Sequence, residues 1–173
     1  MNPGFGIWIT GLPASGKSSI TRELLKLLDA EGVQAVALES DEMRKILTPA
    51  ATYSPDERDR FYHMLILIGD LITRRGVNVV FDATANKRAY RDEARAIIPR
   101  FVEVYVLCPL AVCRERDPKG IYLRATAGET LTVPGLQAPY EAPVHPEITV
   151  DGQASPERAA YLILDNLKRL MYI

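Results

Sequence analysis

The chain has 173 residues, 47% hydrophobic and 25% charged, ordinary globular proportions that exclude fibrous and disordered architectures and fit a single domain spanning residues 1–173. Its 21 Lys and Arg against 22 Asp and Glu leave a net charge of −1, no field to hold a polyanion, so nucleic acid is not an expected partner. Uninterrupted apolar stretches such as residues 64–68 fall far short of the ~20 residues a spanning helix needs, and two cysteines with no signal-like N-terminus predict a cytoplasmic protein with no membrane partner.

Short β-type runs alternate with helical patterns, which predicts a layered α/β fold. Residues 5–10 are an apolar run ended by Gly11, and residues 21–28 are amphipathic at helical spacing until Gly32. Residues 33–38 read as the next strand and 41–47 as a short helical turn before Pro49. Ser54 opens the longest helix. Pro55 suits its first position, Glu57 completes a Ser-x-x-Glu capping box, and the pattern runs to Gly76 with Leu65, Ile68, Leu71 and Ile72 as the buried face. A strand at 77–81, a helix at 87–98 ended by Pro99, and strands at 101–107 and 148–150 follow. The closing helix starts at Ser155 and Pro156 and carries an apolar stripe of Ala160, Ile163, Leu164 and Leu167. Residues 117–147 break this rhythm, holding five of the 12 prolines and three of the 11 glycines without a period. So long an irregular segment inside a small domain reads as a functional lid, at about 114–147.

Gly11-Leu12-Pro13-Ala14-Ser15-Gly16-Lys17-Ser18 is a complete G-x-x-x-x-G-K-S/T pattern with a strand before it and a helix after it. Glycines 11 and 16 let the backbone close around phosphate oxygens, while successive N–H groups and the helix N-terminus supply positive potential. Residues 11–18 together with Ser19 are therefore predicted to bind ATP, with Lys17 at the β- and γ-phosphates and Ser18 on Mg2+. The bland alternative, a chance glycine-rich turn, is opposed by both flanking elements. No Asn-Lys-x-Asp or Thr-Lys-x-Asp run for guanine is present, and the chain is too short for the insertions of a mechanical ATPase. A small phosphotransferase is favoured.

Asp41 follows the second predicted strand and Asp82 the third, on the side of an open α/β sheet where ligands bind. Either can accept a proton from an attacking hydroxyl or hold a metal-bound water. Each also suits a plain structural role, Asp41 as an N-cap and Asp82 in a turn. Arg88, Arg91 and Arg95 repeat at helical spacing, as a solvated basic face does, with only Arg88 and Arg91 near enough to a strand end to touch an anion. Arg44 and Arg58 are better placed for that. The two histidines and two cysteines lack ligand spacing, so no structural metal site is predicted, and Cys113 reads as an ordinary helical residue.

These residues resemble the adenylylsulfate (APS) kinases, which phosphorylate the ribose 3′-hydroxyl of adenosine 5′-phosphosulfate. The resemblance covers nearly the whole chain. It rests on the P-loop, on Glu39-Ser40-Asp41-Glu42-Met43-Arg44 (close to D-G-D-N-x-R), on Tyr53-Ser54-Pro55-Asp56-Glu57-Arg58 (close to F-S-x-x-D-R), and on Asp117-Pro118-Lys119-Gly120-Ile121-Tyr122, Ala127-Gly128-Glu129 and Pro139-Tyr140-Glu141-Ala142-Pro143 in the lid. It implies a P-loop nucleoside-triphosphate-hydrolase-like three-layer α/β fold, a parallel sheet flanked by helices with a mobile lid, and a homodimer. It also implies Lys17, Asp41 and Arg116 as catalytic residues, Asp41 orienting or deprotonating the acceptor and Arg116 closing over ATP. Arg44 and Arg58 would contact the substrate, Tyr53 would replace a phenylalanine stacked on its adenine, Thr84 would lie beside it, and Asp82 would join Ser18 at Mg2+. Three positions depart from the family. Val133-Pro134-Gly135-Leu136-Gln137 stands for F-T-G-I-D, putting Val133 where a second ring covers that adenine; Phe61 stands for an asparagine; and Thr84-Ala85-Asn86 stands for I-S-P. The run from Phe81 to Asn86 is closer to the D-A-T-N strand end of gluconate-kinase-like enzymes, which keeps another small hydroxyl metabolite open as the acceptor. A catalytically silent nucleotide-binding module is the third reading, opposed by intact Lys17, Ser18 and Asp41.

Overall fold

The computed structural model describes residues 2–130 and 132–173. A fully buried strand, β1 (Gly6–Thr10), leads through the glycine-rich loop into α1 (Lys17–Ala30). Next come β2 (Ala35–Glu39), α2 (Ser40–Leu47), α3 (Pro55–Arg74) and β3 (Asn78–Asp82), then α4 (Arg88–Ile97) and β4 (Phe101–Leu107). Two short helices, α5 (Leu110–Arg116) and α6 (Ile121–Thr126), precede β5 (Ile148–Asp151) and α7 (Pro156–Arg169). The strands form one sheet in the order β2-β3-β1-β4-β5, and every pairing is parallel.

Alternation along each strand divides the core in two. Ile7, Ile9, Val80, Val102, Val104 and Val106 point to one face, where Leu24 and Leu28 of α1 and Ile163 and Leu167 of α7 cover them. Trp8, Leu38, Val79, Phe81 and Phe101 point to the other, against Phe61, Leu65 and Ile66 of α3 and Ala94 of α4. Each such aliphatic side chain, taken from water, contributes about 1.5–3 kcal/mol. The result is the expected three-layer parallel α/β sandwich. Because β1 feeds α1 on one face while its neighbour β3 feeds α4 on the other, their loops part at the carboxyl ends and leave a crevice beside Thr10 and Asp82.

Helix α3 docks differently from the expectation. Its buried face is Phe61, Tyr62, Leu65, Ile66, Gly69 and Thr73, whereas Leu71 is 64% exposed and Ile68 and Ile72 are half-buried. Gly69 is the reason: a Cβ there would lie 2.2 Å from Phe81 Cζ, so the helix rides on β3 through its glycine and the contact line shifts round the helix. The capping box is also half-formed. Ser54 Oγ accepts from Glu57 N at 3.2 Å, but the Glu57 carboxylate accepts from the amides of Thr52 and Tyr53 and the Thr52 hydroxyl instead of closing on Ser54. Residues 117–147 contain α6 and a bridge between Pro134 and Ala138, and so carry more structure than their composition predicts. No helix among the described residues is long and apolar enough to cross a membrane.

Candidate active site

The loop between β1 and α1 is built for close backbone approach. Gly11 has no room for a side chain, since a Cβ would sit 2.7 Å from Ser15 Oγ and 2.8 Å from the Val106 carbonyl oxygen. Gly16 takes φ +106° at the N-cap of α1, and Ala14 takes φ +61°. Lys17 is 8% exposed and folds back over its own loop, donating to the carbonyls of Gly11 at 3.1 Å and Leu12 at 2.8 Å. Burial pushes its ammonium below the usual lysine range, opposed first by the charge of Asp82 and then by that of Asp41. Lys17, Asp82 and Asp41 therefore share one electrostatic site. Ser18, next along α1, is exposed.

Asp82 ends β3 and is 5% exposed. A buried carboxylate and a hydroxyl on the first turn of α1 are the hard oxygen donors that Mg2+ takes. No described group of three or more His, Cys, Asp or Glu could hold a metal unaided, so a cation here would draw its remaining ligands from phosphate and water. The residues present fit that ion.

Asp41 opens α2 with its side chain 61% exposed and is ion-paired to Lys119 of the lid. The hydrogen bond that Lys119 donates to Asp41 is the main reason its ammonium is held above the usual lysine value. Arg44, one turn further along α2, is 8% exposed, bonded to Glu57 at 3.0 Å and stacked between the rings of Phe61 (3.9 Å from the centroid) and Tyr53 (4.8 Å). Arg58 donates to the Thr132 carbonyl at 2.5 Å and to Asn86 Oδ1 at 3.4 Å, while its buried Nε has no partner. Two residues here hold left-handed backbone without being glycine, Tyr53 at φ +56° and Ala85 at φ +42°. Strain of this kind, worth about 1–3 kcal/mol each, gathers where geometry is dictated by function.

The structure thus brings residues 11–19, Asp41, Asp82, Arg44, Tyr53 and Arg58 to the carboxyl end of the sheet. Thr84 is there too, its carbonyl accepting from Thr10 Oγ1 at 2.6 Å. Arg116 reaches the flank of the glycine-rich loop, donating to the Gly152 carbonyl at 2.7 Å, and Gly152 packs so tightly on Ser15 that a Cβ would come 2.7 Å from its carbonyl oxygen. Val133 does not face the crevice as expected. At 4% exposure it is packed with Cys108, Cys113, Tyr122 and Ala125 in a third, smaller core cluster, and Gly135 beside it meets Leu12 of the glycine-rich loop. The expected basic face of α4 is also corrected. Arg91 is 1% exposed and ion-paired to Glu103, and Arg95 and Arg88 pair with Glu147 and Glu141, because three acids from other elements converge on the helix.

Several residues at the site had no local sequence signal. Thr10 bridges Thr84 to Tyr140, whose hydroxyl lies 3.1 Å from its own. Asn86 links Arg58 to the Pro139 carbonyl. Both are meetings of residues 28 or more apart in sequence. Two clefts flank the glycine-rich loop, one of about 550 Å³ between Leu12 and residues 135–140, the other of about 510 Å³ at the ends of β4 and β5, lined by Cys108, Pro109, Asp151 and Gln153.

Residues 3–151 match the family model for adenylylsulphate kinase. The adenylyl-sulfate kinase of Microcystis aeruginosa is 42% identical over 145 residues, covering 84% of this chain and 80% of that protein. A probable bifunctional SAT/APS kinase of Sorangium cellulosum is 39% identical over 98% of this chain, which spans 29% of that protein's length. Among solved structures, the APS kinase of Mycobacterium tuberculosis in complex with AMPPNP and APS superposes with a TM-score of 0.91 at 30% identity, covering 97% of this chain and 99% of the other.

Proposed function

Because the chain belongs to the adenylylsulphate kinase family, we infer that it is an ATP-dependent kinase that moves the γ-phosphoryl group of ATP to the 3′-hydroxyl of adenosine 5′-phosphosulfate, giving 3′-phosphoadenosine 5′-phosphosulfate. The observation that carries this reading is one crevice in which a buried Lys17 and Asp82 meet Asp41 and the Arg44–Tyr53–Arg58 cluster. One half suits a nucleoside triphosphate and the other a second anionic, aromatic substrate.

Residues 11–19 wrap the triphosphate with main-chain N–H groups, and the Lys17 ammonium exchanges the Gly11 and Leu12 carbonyls for β- and γ-phosphate oxygens. The cleft at the ends of β4 and β5 receives the nucleotide base, and Arg116 covers the phosphates from the lid side. Ser18 and Asp82 would hold Mg2+, which would supply charge neutralisation to the transferring phosphoryl group. On the acceptor side Arg44 and Arg58 bind the phosphosulfate and Tyr53 offers a face to the adenine. Asp41 is freed when Lys119 turns to substrate phosphate, and it then orients the 3′-hydroxyl and takes its proton as that oxygen attacks in line. Water is excluded by the lid, so transfer to solvent is slow.

The direct test is ADP release measured with ATP, Mg2+ and an acceptor panel of APS, gluconate, shikimate and no acceptor. APS-dependent turnover well above the acceptor-free rate is expected. Turnover with gluconate and none with APS would move the chain to the small-metabolite reading that its Asp82-Ala83-Thr84 run also suits.

A further inference from the structure

Arg91 is the least exposed charged residue among those described, and its guanidinium is used on every side. Nε donates to Glu103 Oε1 at 2.5 Å and Nη2 to the Glu141 carbonyl at 2.6 Å, while Nη1 donates to the Ala85 carbonyl and, at 3.4 Å, to that of Lys87. These acceptors belong to three separate parts of the chain: β4, the turn after β3, and the limb by which the lid returns to the body.

The turn is the part that needs holding. Ala85 keeps its left-handed backbone with its N–H donating to Tyr62 Oη at 3.0 Å and its carbonyl taken by Arg91, so both of its peptide groups are pinned by buried side chains. Asn86, the next residue, is thereby aimed into the site. Its Oδ1 accepts from Arg58, its Nδ2 donates to the Pro139 carbonyl at 3.1 Å, and its carbonyl accepts from Glu141 N at 2.8 Å. The lid's return limb is thus stitched to the turn twice through Asn86 and once through Arg91.

We propose that Arg91 is a positioning residue for the acceptor: its buried fork locks residues 85–87 and 139–141 into one block, so that Asn86 holds Arg58 toward the crevice and lid movement is confined to residues before Pro139. Only a planar guanidinium can serve the Glu103 carboxylate and three carbonyls together; a lysine ammonium in its place keeps the charge but not the fork. This inference rests on the crevice being the acceptor site.

The test uses the full chain carrying Arg91→Lys, which keeps the ion pair with Glu103. The Michaelis constant for APS should rise about tenfold while that for ATP stays within about twofold, and amide exchange should accelerate at residues 85–87 and 140–141 ahead of the rest of the chain. The double variant Arg91→Met/Glu103→Met removes both buried charges, so that no lone carboxylate confounds folding, and should show the same split. A wild-type Michaelis constant in the lysine variant would mean that charge alone suffices, and equal rises for both substrates would mean general loosening; either result overturns the proposal. If the wild type moves no phosphoryl group to APS, the acceptor reading fails by itself and exchange decides the rest. Acceleration confined to the two segments then upholds the locking role, and unchanged or uniform exchange overturns it.

Discussion

Lys17, Asp82 and Asp41 form a short chain of charge whose members have separable tasks. Lys17 sits in a buried site that disfavours its charge, and Asp82 and Asp41 offset that cost only in part; in the proposed reaction a triphosphate would complete the pairing. Lys17→Met should lower kcat by ~10²-fold or more, because electrostatic stabilisation dominates phosphoryl transfer. Without ligand the same variant should lose no stability near neutral pH: the folded-state value of Lys17 lies below its unfolded value, so this group opposes folding while protonated, and that opposition fades as pH rises through the folded value toward the unfolded one. Asp41→Asn should lower kcat with little change in the Michaelis constant for ATP, whereas Asp82→Asn should raise the Mg2+ concentration needed for half-maximal rate. Steady-state kinetics across a Mg2+ series separates the two, and a reversed pattern would exchange the roles. The glycine-rich loop was legible because all of its signals are local. The Lys119 partner of Asp41 was not, since 78 residues separate the pair, and neither was the burial of Val133, because a motif position says nothing about which way a side chain turns.

At the scale of elements, the start of α3 connects helix formation to the arginines of the proposed acceptor site. Glu57 is fixed by Ser54 through its amide and by Thr52 and Tyr53 through its carboxylate, and its other oxygen holds Arg44. Burial alone would raise the Glu57 carboxyl, but the hydrogen bonds from Thr52 and Tyr53 and the charge of Arg44 outweigh it and hold it below the usual glutamate range. A depressed carboxylate contributes its stability in full above its unfolded value of about 4.3 and loses it as pH falls through the folded value. Glu57→Gln should therefore cost about 1 kcal/mol at pH 7 and flatten the acid limb of the stability curve below about pH 4. It should also raise the Michaelis constant for APS through a loosened Arg44. Urea unfolding across pH, with kinetics at pH 7, checks both; an unchanged acid limb would contradict the assignment. The order of the strands and of the helices other than α5 and α6, the caps at Ser54 and Ser155 and the apolar stripe of α7 were readable because period and capping are local properties. The buried face of α3 was not, because the fit of Gly69 against Phe81 comes from an element twelve residues away, and the four apolar positions of a helix rich in them do not say which line docks.

For the molecule as a whole, the sheet supplies the logic of the site. Parallel strands β1 and β3 send their helices to opposite faces, and the crevice this opens collects phosphate ligands from α1, acids from β3 and α2, and arginines from α2 and α3. The segment after α5 covers it, touching the crevice at Lys119, Thr132 and Tyr140. In the proposed reaction such a site would hold two substrates on one side of the sheet with the attacking oxygen and the γ-phosphorus in line, and would need no covalent enzyme intermediate. The measurement closest to that claim is a single-turnover reaction with enzyme in excess, γ-labelled ATP and APS, in which the position of the label is determined. The account predicts that the label passes to the 3′-hydroxyl of APS at a rate that matches ATP loss, with none on the protein and none released as free phosphate beyond the acceptor-free rate. Label trapped on the protein or lost to water, with APS unmodified, would contradict it.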